Sequence, residues 1–182
     1  LAQSVDEQLQ VREIALPLMR QLRDQFNETV NLGVIDHKEV AYIAMIESRH
    51  SLRMQTRLGS RDPVYSTALG KAILTFMPEA RWPNHVPAEF VPRTINTHRS
   101  MVELKQDLVE IQRRGYSVDL QENELGAYCI GAPIFDHLGQ VTAALSVSAP
   151  ASRLDETTKQ AVATAIIQSA ATISQQLGHN PG

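Results

Sequence analysis

The sequence predicts a mixed α/β (α+β) fold, antiparallel strands with helices packed on them, and three observations predict it. Thr29 to Asp36 and Glu39 to Ile46 are strand-length runs with β-branched and aromatic residues on both faces, joined at His37-Lys38. Asp136-His137-Leu138-Gly139 is a turn signal, its Gly free to take a left-handed position, between a second pair of apolar runs. Ser100-Met-Val-Glu103 is a capping box that opens a helix through Leu104, Leu108 and Ile111. At 182 residues and 43% hydrophobic content the chain is long enough to bury one proper core, so residues 1–182 are expected to form one domain.

The chain opens in helical pattern, with Leu9, Ile14, Leu18, Leu22 and Phe26 near helical spacing. Pro17 interrupts that pattern and is expected to kink the helix or start a second one. Before Pro17 there is more apolar surface than polar flanks can hide, so 1–26 reads as a linker or packing helix. After the first two strands, Leu52, Met54, Thr56 and Leu58 alternate with Arg53, Gln55 and Arg57, the pattern of a strand with Met54 facing inward. Asp62-Pro63 then marks a turn. The run YSTALGKAILTFM reads as a helix capped by Ser66 or Thr67. Its Gly70 costs about 1 kcal/mol relative to Ala, which implies close approach of something to the first turns. Pro78 to Pro92 reads as a loop or short helical turns, and Arg113-Arg114-Gly115 closes the helix opened at Ser100. Asp155 caps the last helix, where Val162, Ile166, Ser169 or Ala170, Ile173 and Leu177 make a stripe that is most simply core, with a dimer seam as the alternative.

The segment Gly115 to Ala149 says most about function. With Phe135 opposite Gln140, Ile130 falls opposite Leu145 and Tyr128 opposite Val147, and that face is apolar throughout. The other face carries Ala127, Cys129, Gly131 and Pro133 opposite Ser148, Ser146, Ala144 and Thr142. Small residues leave room above a sheet, and hydroxyls with a thiol give that room hydrogen-bonding groups, which is the composition of a small-molecule pocket floor. A solvent-facing strand would carry more Lys, Glu and Arg. A one-residue slip would exchange the faces and leave their compositions intact.

Composition narrows the function. A net charge of −3 and pI near 6.1, with no Lys/Arg cluster along one helix, give no electrostatic footprint for nucleic acid. One Cys excludes an internal disulfide and fits a reducing compartment. There is no signal peptide and no run of 18 apolar residues, so a cytoplasmic location is expected. The chain begins at Leu1, already in helical pattern, as expected for a piece of a longer protein.

Three groups could carry chemistry. The first turn of the Ser66 helix offers free N–H groups and the positive end of a dipole, a site for an anion if the fold brings it over the Cys129, Ser146, Ser148 face. Asp119 alternates with Tyr116, Val118 and Leu120 and would converge on that face if its strand joins the hairpin, whereas Gln121 to Glu124 reads as a solvated loop. Cys129 as a nucleophile would need a nearby base and a lowered pKa, and no His is obliged to lie beside it, so a small buried residue is the simpler identity. The His residues stand singly, without ligand spacing, and neither a metal nor a cofactor is expected.

The combination of LRMQTRLGSRDPVYSTALGKAIL, RRGYSVDLQENELGAYCIGAPIFDHLGQVTAALSVS and a C-terminal helix resembles the effector-binding domain of the isocitrate lyase regulator (IclR) family of bacterial transcription regulators, and within it the ketodeoxygluconate-repressor branch. The resemblance implies a GAF-like or profilin-like curved antiparallel sheet with helices on one side. It implies a small organic-acid effector, an oxo- or hydroxy-acid that is sugar-acid-derived in that branch. The effector would be held by backbone N–H groups at Ala68 and Leu69, by Asp119, Cys129, Ser146 and Ser148, and by Met54 as an apolar wall. It also implies self-association as a dimer or tetramer, no catalysis, no membrane partner, and operator DNA bound only through a winged helix-turn-helix domain outside this chain. Tyr128 departs from the pattern, standing where many members carry Arg, while Asp62 and Leu69 occupy positions that vary in size and polarity. The rival readings are a cysteine-dependent enzyme using Cys129 and a purely structural dimerisation module.

Overall fold

A computed structural model describes residues 4–182; Leu1 to Gln3, with which the expected N-terminal helix opens, lie outside the described residues. The first helix, α1, spans Val5–Phe26 behind a capping box in which the Ser4 side chain accepts from the Glu7 N–H and the Glu7 carboxylate accepts from the Ser4 N–H. It runs on past Pro17 without a break. Pro17 and Glu13 are both exposed, so the carbonyl deprived of its partner faces water, while Val11, Ala15, Met19 and Leu22 bury the opposite face. That stripe shares Leu22 with the expected one; Leu9 is 50% exposed, and Ile14, Leu18 and Phe26 pack at its flanks.

The strands β1 (Thr29–Asp36) and β2 (Glu39–Ile46) pair across His37-Lys38 as expected. The alternation from Leu52 to Leu58 does not form a strand. The edge beside β2 is taken instead by β3 (Arg61–Pro63), where a proline is tolerated because nothing pairs on its outer side. Asp62-Pro63 therefore lies in a strand and not in a turn. Residues 49–60 form a loop over the sheet, tied by a 2.8 Å hydrogen bond from Thr29 Oγ1 to the Met54 carbonyl. Leu52 and Leu58 are exposed, while Met54 and Thr56 turn inward.

A short 3-10 turn, Val64–Ser66, leads into α2 (Ala68–Phe76), and Glu79–Asn84 forms the helical turn within the proline-rich segment. Helix α3 (Met101–Arg114) is capped by Ser100, which accepts from the Glu103 N–H. The Glu103 carboxylate reaches back one residue further, to the Arg99 N–H at 2.8 Å. Then follow β4 (Ser117–Leu120), β5 (Ala127–Phe135), β6 (Val141–Pro150) and α4 (Glu156–Gln176), the last capped by Asp155.

The strands form one antiparallel six-stranded sheet in the order β3-β2-β1-β6-β5-β4. In the β5/β6 hairpin Phe135 pairs with Val141, one residue from the expected Gln140, and a bulge between Ile134 and Phe135 adds a second residue of shift, so Cys129 lies opposite Ser148 rather than Ser146. A shift of two preserves which face each side chain takes, and the apolar and small faces are those expected. The apolar face, with Val30, Leu32, Ile130, Leu145 and Val147, packs against α1 and α4. The expectation of helices on one side describes that layer. The other face is covered as well, by α2 and, outside it, by α3 through Ile73, Leu74, Leu104, Leu108 and Ile111.

Candidate functional site

Two cross-strand rows make the floor of a cavity beneath α2. One runs Asp119, Cys129, Ser148, Thr29, and the other Ser117, Gly131, Ser146, Asn31. The start of α2 rests directly on the second row. Ser117 Oγ donates to the Ala68 carbonyl at 2.6 Å, and a Cβ on Gly131 would stand 2.9 Å from that same oxygen. Gly70 is needed for the same reason, since a Cβ there would strike the main chain of Val64.

Thr67 is the N-cap; its Oγ1 accepts from the Gly70 N–H at 3.1 Å and donates to the Pro63 carbonyl at 2.9 Å. The cap leaves the N–H groups of Ala68 and Leu69 without a partner among the described residues, at the positive end of the helix. Both residues line a cavity of about 70 Å³, room for several waters at roughly 10–15 Å³ each. All the residues expected at the site line it: Met54, Ala68, Leu69, Asp119, Cys129, Ser146 and Ser148. Tyr42, Asp62 and Asn31 line it too, and no Lys, Arg or His does.

Asp119 is 3% exposed, with its Oδ1 accepting from the N–H groups of Glu122 at 2.7 Å and Asn123 at 3.4 Å. Burial, reinforced by the Glu122 charge, outweighs those bonds and pushes its pKa up to about 7. The Cys129 thiol is also pushed well up, by burial first and then by the Asp119 charge, against a hydrogen bond from Ser148. Tyr42 donates its hydroxyl to Asp62 Oδ2 at 2.8 Å, and burial and that carboxylate hold the phenol protonated. Asn31 gives an Nδ2 hydrogen bond to Ser148 Oγ at 3.2 Å, but its Oδ1 is buried with no partner. The Ser146 hydroxyl likewise has none among the described residues.

Asn31 and Tyr42 escaped the sequence reading for different reasons. Asn31 was visible as the lone carboxamide in the buried run TVNLGVID, a placement that asks for a partner. Tyr42 looks like any core aromatic, and nothing local marks where its hydroxyl goes.

One helical turn beyond the cavity, Lys71 is fully buried and donates to Asp107 Oδ2 at 2.6 Å, Glu122 Oε1 at 2.7 Å and the Val118 carbonyl at 2.6 Å. His98 Nε2 also lies 2.9 Å from Asp107 Oδ2. His98, Asp107 and Glu122 bring ligand-type atoms within 4.8 Å of one another, but the cation at their centre is the Lys71 ammonium.

Residues 3–175 match the family described as bacterial transcriptional regulator IclR C-terminal. The HTH-type transcriptional regulator KdgR of Dickeya chrysanthemi is 36% identical over 163 residues, which are 89% of this chain and 53% of that protein; the chain thus spans about half the length of this relative. The crystal structure of the Thermotoga maritima IclR superposes with a TM-score of 0.88 at 38% identity, over 93% of this chain and 69% of that one. The C-terminal domain of E. coli KdgR superposes with a TM-score of 0.85 at 32% identity, over 93% of this chain and 99% of that one. The family match over nearly the whole length, and the same fold in relatives of this identity, carry one conclusion: the chain belongs to the IclR family of bacterial transcriptional regulators, as a C-terminal domain of that family.

Proposed function

We propose that this domain is a sensor whose cavity binds a small oxo- or hydroxy-acid and passes its occupancy, through α1, to a winged helix-turn-helix DNA-binding domain outside this chain. The observation that carries the reading is the pair of unpartnered N–H groups at Ala68 and Leu69, two residues that line a hydroxyl-bearing cavity. They suit a carboxylate, with Ser146 and Ser148 as supporting donors. Asp119 would repel that group when ionised, so it belongs at the hydroxyl end of the ligand, and Met54 supplies the apolar wall. Self-association of the regulator and a cytoplasmic location are part of the same proposal. The helix-turn-helix relatives support it, as does the apolar surface of α1 at Val5 and Leu9, 73% and 50% exposed. No helix among the described residues is long and apolar enough to cross a membrane.

A cysteine-dependent enzyme would need Cys129 beside a base and poised toward thiolate. Its neighbour is instead an acid, and burial drives the thiol the other way. The test of the sensor reading is thermal-shift screening with small carboxylates, since specific binding raises stability by mass action. The stabilising acid is expected to lose at least about tenfold in affinity, or about 1.4 kcal/mol, in the Ser146→Val, Ser148→Val double variant. Unchanged binding of every stabilising acid would exclude this cavity as the site.

A further inference from the structure

The floor of the cavity contains a polar atom that the fold leaves unsatisfied. Asn31 is 1% exposed, in the middle of the sheet on β1 and directly opposite Ser146. Its Nδ2 is spent on Ser148, while its Oδ1 has no partner. The orientation of the carboxamide follows from Ser148. Its oxygen accepts from the Asn31 NH2 at 3.2 Å, which leaves the carbonyl oxygen of the carboxamide as the unpaired atom.

We propose that Asn31 is a specificity-determining residue of the cavity, and that its free carbonyl makes the cavity select acids carrying a hydroxyl over the corresponding oxo-acids. This rests on the effector reading above and narrows it. Acceptors crowd this part of the cavity: Asn31 Oδ1 stands beside a Ser148 oxygen already engaged, and Asp62 faces in from the β3 side. An oxo group would add another acceptor and leave Asn31 Oδ1 as it is. A hydroxyl at the same carbon donates to it. Sites with an unpaired polar group discriminate strongly for the ligand that pairs it, because the wrong ligand leaves the cost of burial unrelieved.

The experiment is calorimetric titration of the domain with matched pairs of acids that differ only at that carbon: each enantiomer of lactate against pyruvate, and each enantiomer of malate against oxaloacetate. In every pair that binds, one hydroxy-acid enantiomer is expected to bind at least about tenfold tighter than its oxo partner. In Asn31→Ala the preference is expected to fall to within about twofold. In Asn31→Asp, which keeps an acceptor at the same place, it is expected to persist. Circular dichroism on both variants checks the fold, and the Asp variant guards against reading a packing defect as lost selectivity. Oxo-acids binding as well as hydroxy-acids to the unaltered domain, or a preference that survives Asn31→Ala, overturns the role of Asn31 and leaves the effector reading standing. If no acid of either kind binds, both are overturned.

Discussion

Two buried polar clusters lie side by side under α2, and they differ in completeness. Around Lys71, the ammonium's three hydrogens meet acceptors on three residues, Asp107, Val118 and both oxygens of the Glu122 carboxylate. Burial presses the ammonium's pKa down, yet Glu122 and Asp107 outweigh it and hold it above its usual value. Asp107 is likewise opposed by burial but, bonded by His98 and Lys71, falls to about 2. One turn back along the helix, the cavity has free N–H groups at Ala68 and Leu69, a free carbonyl at Asn31 and a carboxyl at Asp119 pushed up to about 7. The same loop serves both, since Glu122 holds Lys71 with its side chain and Asp119 with its main-chain N–H. A closed set of partners marks a structural brace. The open valences beside it are what the proposed effector site rests on.

That contrast breaks first at Lys71. Lys71→Met would leave Asp107 and Glu122 buried without their cation, and a loss of about 3–5 kcal/mol is expected in urea denaturation, as for other buried pairs deprived of one partner. A loss below about 1 kcal/mol would mean that His98 and Arg114 sustain the cluster without the lysine, and the brace would be misassigned.

Asp119 sharpens the other side. Its folded pKa is raised from 3.8 to about 7, so its contribution to stability is complete below pH 3.8 and is lost as pH rises through about 7. Asp119→Asn removes that dependence. Without ligand, the variant is expected to gain on the parent steadily between about pH 4 and pH 7, at about 1.4 kcal/mol for each pH step of one, and so by on the order of a few kcal/mol in all. Parallel melting curves across that range would place Asp119 among satisfied residues.

The smallest effect is expected at Cys129. Cys129→Ser keeps size and a polar hydrogen while abolishing thiolate chemistry, so affinity for a stabilising acid should stay within about tenfold. Turnover of any ligand that vanishes in this variant would restore the enzyme reading.

Much of this was legible because it is local. The limits of β1 and β2, the Ser100 and Asp155 caps and the small face of the hairpin follow from patterns a few residues long. The loop from 49 to 60 was misread because alternation reports which side chains turn inward, not whether a neighbouring strand exists to pair with. The exact register of β5 and β6 depends on a bulge, whose position the apolar alternation does not fix. Nothing local marks Lys71 as buried, because its partners lie 36 and 51 residues away along the chain. Asn31 and Tyr42 face the cavity through pairings of the same long-range kind.

Gly131 has a further consequence. With the Ala68 carbonyl set over Gly131 and held by the short Ser117 hydroxyl, the height of the helix start above the floor is a spacer of fixed length, with no Cβ on Gly131 to lengthen it. On the proposed reading, the anchoring end and the discriminating end of the cavity are thus separately adjustable. Replacements at Asn31, Met54 or Asp62 would reshape what the ligand must offer at its far end, while the place where its carboxylate docks would stay put, as a lock keeps its keyway when the pins are changed.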